Sequence, residues 1–174
     1  MIELIPFQRS HFDLLIEWSP SPKSLLQWSG AGFTYPLDHE QLNKLLAAGQ
    51  GSPPRVYLYA ARRVSDGAIV GHGEIGFVDR QNLNARLMRI IVSRTARGRG
   101  LGEGVVRELV RVGFGELRLH RLDLNVFDFN RAAIRCYERV GFRLEGTLRE
   151  ARRHNDEYWN VCTMGLLRSE WEAV

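Results

Sequence analysis

A chain of 174 residues, 44% apolar and 25% charged, suits one globular domain that buries about two-thirds of its unfolded surface. The formal net charge of +4 and the pI near 9.4 favour anionic ligands, yet the basic residues are mostly scattered arginines, which suits a phosphate-bearing small molecule at least as well as nucleic acid. Cys136 and Cys162 lie outside any CxxC spacing, which argues against a zinc site or a disulfide framework, and neither a membrane-length apolar run nor a basic-then-apolar leader is seen, so a cytoplasmic location is expected.

In chain order, residues 2–7 read as a strand, and the turn after them starts a helix around His11 to Trp18. The stretch WSPSPKSLLQWSGAGFTYP is broken by three prolines and several serines and glycines, so it reads as loop with room for one short helix. Residues 38–49 predict a helix with Leu42, Leu45 and Leu46 on one side and Gly49 as its stop. Residues 55–63 and 68–79 predict strands flanking the turn Ser65-Asp66-Gly67, and RLMRIIVS (86–93) is a third strand of this series. A helix follows over 101–117, where Val105, Leu109 and Val112, with Val106, Val110 and Phe114 beside them, recur at helical spacing. Residues 120–127 read as a buried strand, and 130–142 as a short helix capped by Asn130 and ended by Gly141. Strands FRLEGTLRE and YWNVCTMGLL finish the chain, which holds no repeat or linker and reads as one α/β unit over 1–174.

The segment RTARGRGLGEG (94–104) has glycine at every second residue from Gly98 to Gly104, between a strand and a helix. Bare backbone running into a helix start makes an anion site, because the first helical N–H groups lack intrahelical partners and the helix dipole adds positive charge. Two nucleotide readings fail on position. No Lys-Ser or Lys-Thr follows the glycines as a Walker A loop needs, and a G-x-G-x-x-G fingerprint would place glycine at Glu103 or at Val105.

What fits is Arg97-Gly98-Arg99-Gly100-Leu101-Gly102, an R-x-x-G-x-G pattern with Val92 upstream, together with Asn130-Arg131-Ala132-Ala133-Ile134-Arg135-Cys136-Tyr137-Glu138-Arg139-Val140-Gly141-Phe142, an N-x-x-A-x-x-x-Y-E-x-x-G-F pattern one helix and one strand later. In these two blocks the sequence resembles the GNAT superfamily of acyl-CoA-dependent N-acyltransferases, over roughly 55–167 and most strongly over 86–142. The surrounding segments are similar to the branch of ribosomal-protein N-terminal, polyamine and aminoglycoside acetyltransferases. The resemblance implies a mixed, mostly antiparallel sheet of about seven strands, flanked by helices and splayed between its central strands. It also implies acetyl-CoA as co-substrate and transfer of an acetyl group to a primary amine by direct attack on the thioester.

Carried over residue by residue, the resemblance gives the cofactor the backbone of Ile90, Ile91 and Val92 for the pantetheine arm, and Gly98, Gly100, Leu101, Gly102 and Glu103 for the pyrophosphate. Arg97 and Arg99 add counter-charge or simply face solvent, and Asn130 is both helix cap and cofactor contact. Tyr137 is the candidate acid for the departing thiolate; apart from the resemblance it would read as a buried helix tyrosine. The base stays open. Some protein-acetylating relatives have a glutamate at the position of Asn125, which cannot accept a proton. Glu74 is the substitute, with a solvent-facing strand carboxylate as the other reading, and His72 shares its side of the strand by the period of two. Ordered water is a third route for the proton.

The acceptor would meet the divergent parts: Trp18, Trp28, Phe33 and Tyr35 in the first fifty residues, and RRHNDEYW (152–159), where aromatics near Asp156 and Glu157 suit a cationic amine or else only pack. A coenzyme A-binding regulatory module and a nucleic-acid-binding protein are the competing functions. No metal site, membrane contact or nucleic-acid partner is expected, and family analogy leaves a homodimer open.

Overall fold

The computed structural model describes residues 1–172 and contains one seven-stranded sheet. Its strands are β1 (Ile2–Pro6), β2 (Val56–Arg63), β3 (Ile69–Asp79), β4 (Asn84–Val92), β5 (Arg121–Phe127), β6 (Arg143–His154) and β7 (Glu157–Leu167), in the spatial order β1-β2-β3-β4-β5-β7-β6. Every neighbouring pair is antiparallel except β4 and β5. A parallel pair needs a crossover, and helix α4 (Leu101–Arg111) supplies it. The strands, their mixed directions and the helices on both faces match the fold that the sequence implies.

Among the described residues two large cores form, one on each face, beside a small cluster of Phe127, Trp159 and Val161. The stripe Val105, Val106, Leu109 and Val110 of α4 is buried, and it packs with Val140 of α5 (Arg131–Val140) and with strand residues such as Leu87, Leu122 and Leu124. On the opposite face, α1 (Phe12–Glu17), α2 (Pro22–Ser29) and α3 (His39–Ala48) bury Phe12, Leu15, Leu25, Leu42 and Leu45 against Ala60 and Ile91. Each such side chain contributes about 1.5–3 kcal/mol relative to exposure. The alternation along β4 assigns its residues to these two faces: Ile91 packs in the second core, while Ile90 and Val92 pack against the first.

Helix α2 lies inside the proline-rich stretch that the sequence suggests is mainly loop. Its prolines start a helix where they read as breakers: Pro22 occupies the first helical position and Ser21 caps it, accepting from the Ser24 amide at 3.2 Å. The helix expected over 101–117 closes as a regular α-helix at Arg111 and continues as a wider π-turn over Val112–Glu116. A last short helix, α6 (Arg168–Trp171), was not foreseen, and β6 reaches beyond residue 150 to His154.

Two irregularities of β4 shape the site. His72 pairs with Ile91 but Glu74 with Met88, so β4 carries one extra residue, and Arg89 within it has φ of +46°. On the other edge, β4 and β5 pair only from Asn84–Leu87 to Arg121–Leu124. Beyond those residues the two strands diverge, and β5 from Asn125 to Phe127 pairs only with β7.

Candidate active site

The loop after β4 is held by a buried Ala96 in a short 3₁₀ turn and then enters the left-handed region twice, with φ of +75° at Gly98 and +73° at Gly100. A Cβ at either position would meet nothing within 4 Å. Glycine is therefore required there by backbone conformation, and the space over the loop is open. Helix α4 begins on Gly100, whose carbonyl accepts from Gly104 N at 3.3 Å, so the amides of Leu101, Gly102 and Glu103 precede the first intrahelical bond. Arg97 is exposed and folds back to the strand end, its Nε donating to the Val92 carbonyl at 3.1 Å; Arg99 is exposed. The Glu103 carboxylate turns to Arg107 at 3.0 Å and Arg139 at 2.9 Å, pinning α4 to α5, and these guanidiniums hold it below the usual carboxylate range.

Helix α5 brings the second block to the same place. Asn130 caps it through Oδ1, 3.3 Å from Ala133 N, and Gly141 ends it at φ of +114°. A Cβ on Gly102 would lie 3.9 Å from Cys136 Sγ and 3.8 Å from Val92 Cγ2, so the α4 start, the β4 end and α5 converge. Tyr137 follows Cys136, half-buried, its ring edge-on to Phe142 at 6.2 Å. Burial, and secondarily Cys136, push its phenol above the usual range. Burial also raises the Cys136 thiol.

On the α1–α3 face, the divergence of β4 and β5 opens into a cavity of about 370 Å³, whose walls include Trp28 of α2, Arg86 and Arg89 of β4, Asn125 of β5 and Arg152 of β6. A neighbouring cavity of about 460 Å³ lies under α3 and shares Gly32, Phe77, Met88 and Arg89 with it, but does not reach β5. The Gly30–Gly32 turn after α2 presses on the guanidinium so closely that a Cβ on Gly32 would lie 2.7 Å from Arg89 Nη2.

The sequence-derived candidates divide between these places. Gly98–Glu103 form the loop and first turn of α4, Cys136 of α5 lies beside Gly102, Asn130 and Tyr137 lie on that same α5 segment, and Ile90–Val92 form the diverging end of β4. Glu74 has a different environment from either expectation. It is fully buried, with Oε1 3.0 Å from His72 Nε2 and Oε2 accepting from Arg89 Nη1 at 2.5 Å, and neither it nor His72 lines either cavity. A carboxylate with both oxygens engaged and no exposed surface is not presented to an acceptor, nor does it face solvent. It orients Arg89, whose guanidinium also lies 5.1 Å from the Phe33 ring centre. Asn125 does line the smaller cavity and accepts from Thr163 Oγ1 at 3.0 Å. Asp156 and Glu157 sit at the β6–β7 turn away from it, Glu157 accepting from Trp159 Nε1 at 3.1 Å. Trp18 is core, whereas Trp28 packs partly and donates to Ser19 Oγ at 3.0 Å. Sequence reasoning did not single out Arg86 or Arg89, for which the one available signal was an arginine inside the apolar run LMRIIV, whereas Arg152 opens the 152–159 segment that the sequence assigned to the acceptor.

A parallel pair that opens beside a left-handed glycine loop and a helix start defines a cleft for a phosphate-bearing, extended ligand. The chain belongs to the acetyltransferase (GNAT) family, whose profile matches residues 15–142. Similar proteins include an L-amino acid N-acetyltransferase of Escherichia coli (strain K12), 33% identical over 104 residues, which are 59% of this chain and 64% of that protein. A spermidine N(1)-acetyltransferase of the same strain is 32% identical over 85 residues, 49% of this chain and 46% of that one. The matched segments thus span 64% and 46% of these relatives' lengths. Among solved structures, a spermidine N-acetyltransferase from Vibrio cholerae in complex with CoA and spermine superposes with a TM-score of 0.84 over 98% of both chains. At 20% identity that likeness establishes the shared fold.

Proposed function

We propose that the protein is an acetyl-CoA-dependent N-acetyltransferase acting on a primary amine. The observation that carries this reading is the opening of β4 from β5 beside the Gly98–Gly100 loop. The residues fit coenzyme A in two respects: open space over both left-handed glycines, and a β4 edge from Met88 to Val92 left unpaired by β5. Bound there, acetyl-CoA supplies an acyl thioester, a carbonyl activated towards amines. The amides of Gly98 to Glu103 would hold the pyrophosphate, with Arg97 and Arg99 adding charge. Backbone groups of Ile90, Ile91 and Val92 would hold the pantetheine arm as an added strand. Asn130 and the α5 start close that side, and Tyr137 Oη carries the proton for the departing sulfur.

The amine enters from the 370 Å³ cavity on the other face. Among the described residues lining it there is no carboxylate and no imidazole, so the acceptor's proton leaves to water rather than to a side chain of the wall. The named relatives act on amino acids and on spermidine, and both are amines. We place the protein in the cytoplasm, where thiols stay reduced, in keeping with unpaired Cys136 and Cys162. A homodimer through β6, a sheet-edge strand exposing Leu144 and Leu148, is the assembly this reading favours; sedimentation would then give twice the 19.9 kDa chain mass.

The test is the melting temperature with acetyl-CoA, coenzyme A, ATP or NADH in excess. A ligand at about 100 times its Kd adds about 2.7 kcal/mol, a rise of several degrees for a domain of this size. The rise is expected with the two coenzyme A species only. A rise confined to ATP or NADH overturns the reading.

A further inference from the structure

We infer that the acceptor amine carries a carboxylate of its own, and that Arg152 is the group that binds it. This rests on the acetyl-transfer reading and narrows its acceptor. Three charged side chains line the 370 Å³ cavity, Arg86, Arg89 and Arg152, and all three are cations. Two of them are balanced from behind the wall: Arg86 pairs with Asp123, and Arg89 with Glu74 at 2.5 Å, while neither carboxylate reaches the cavity surface. These pairs cancel charge while presenting guanidinium groups, not carboxylates, to whatever enters.

Arg152 differs from both. It is exposed on β6, and its contact among the described residues is the Ala151 carbonyl, 2.8 Å from Nη1, with no Asp or Glu partner there. Its charge is therefore uncompensated at the mouth of a cavity whose other polar walls are the two paired arginines and neutral groups such as Gln27 and Asn125. The adjoining cavity adds Lys44 and Arg55 and likewise has no acidic lining among the described residues. A polyamine entering here meets like charge and finds no counter-ion. A carboxylate meets a planar fork of donors that binds it through two parallel hydrogen bonds. The volume lies at the small end of ligand pockets, which suits an acceptor of amino-acid size.

The experiment measures thiol release from acetyl-CoA with a panel of L-amino acids, the matching amino-acid amides, O-phosphoethanolamine and spermidine. The acids should exceed their amides and spermidine in kcat/KM by about tenfold or more, the size of one charge-assisted contact. Arg152→Gln should erase that preference and Arg152→Lys retain part of it, with the coenzyme A-induced rise in Tm unchanged in both variants. Equal or faster turnover of amides or spermidine overturns the inference, as does a preference that survives Arg152→Gln. Turnover confined to O-phosphoethanolamine overturns the carboxylate. A protein that melts higher with coenzyme A yet acetylates nothing in the panel refutes the acceptor class alone. One that shows no rise with coenzyme A refutes the acetyl-transfer reading beneath it.

Discussion

On one side of the β4–β5 opening the wall is backbone: Gly98, Gly100 and the amides of Leu101 to Glu103, all within six consecutive residues. On the other side the wall is side chains drawn from positions 28, 86, 89, 125 and 152, delivered by α2 and three separate strands. A backbone wall offers amide donors that every sequence possesses, so its specificity lies in where glycine lets the chain go. A side-chain wall can be recharged by one substitution without disturbing the fold. The first arrangement suits a ligand common to many enzymes, the second a ligand that differs among them, and substitutions on each side should separate accordingly.

The largest effect is expected on the backbone side. Gly100→Val puts a β-branched residue at φ of +73°, a strain of roughly 1–2 kcal/mol, and sets methyl groups in the open space where the pyrophosphate would lie. The coenzyme A-dependent rise in Tm should vanish while the variant still unfolds cooperatively. A retained rise would show that phosphate binds elsewhere. Next in size is Tyr137→Phe, which removes the proton carrier but no packing surface: kcat should fall about 100-fold, with acetyl-CoA affinity nearly unchanged. An unaltered kcat would leave Tyr137 as a packing residue against Phe142.

The local structure of these two segments was legible in the sequence for the same reason. Alternate glycines before an amphipathic helix, and Asn130 and Gly141 bracketing a ten-residue helix, are local signals whose consequences stay within a few residues. The seven strands followed from apolar patterning and turn signals in the same way, whereas their assembly into one helix-flanked sheet followed from the family resemblance. The short helix allowed within the 18–36 stretch had no legible start, because Ser-Pro serves equally to end an element or to cap one, and the Ser21–Ser24 bonds decide which. Trp28 and the 152–159 segment were assigned to the acceptor from sequence, but the geometry of that wall was illegible for a deeper reason. Arg89 reaches Glu74 from a strand that carries one extra residue at φ of +46°, and a bulge changes the partner of every residue beyond it. Arg86 and Arg152 lie 66 positions apart, on strands separated in the sheet by β5 and β7, yet line one cavity.

Glu74 belongs to neither wall, since it stands behind the cavity and acts on it through Arg89. Glu74→Ala would strand His72 and a mostly buried guanidinium without their shared partner, which costs about 3 kcal/mol, the lower end for breaking a buried pair since Arg89 keeps some exposure. That corresponds to a fall in Tm of about 6–12 °C. Glu74→Gln keeps an oxygen for one of the two donors and should destabilise less. A merely structural loss would say nothing about catalysis, so the deciding readout is the pH profile of kcat/KM. With no carboxylate or imidazole among the described residues of the cavity wall, the rate should climb about tenfold per pH unit up to the acceptor amine's own pKa. In Glu74→Gln that slope should persist, with the principal change in KM as Arg89 loses its orientation. If the slope instead flattens and kcat collapses while acetyl-CoA still raises the melting temperature, Glu74 takes the proton itself. The buried carboxylate must then open to the cavity during turnover, and the side-chain wall would hold the base as well as the selectivity.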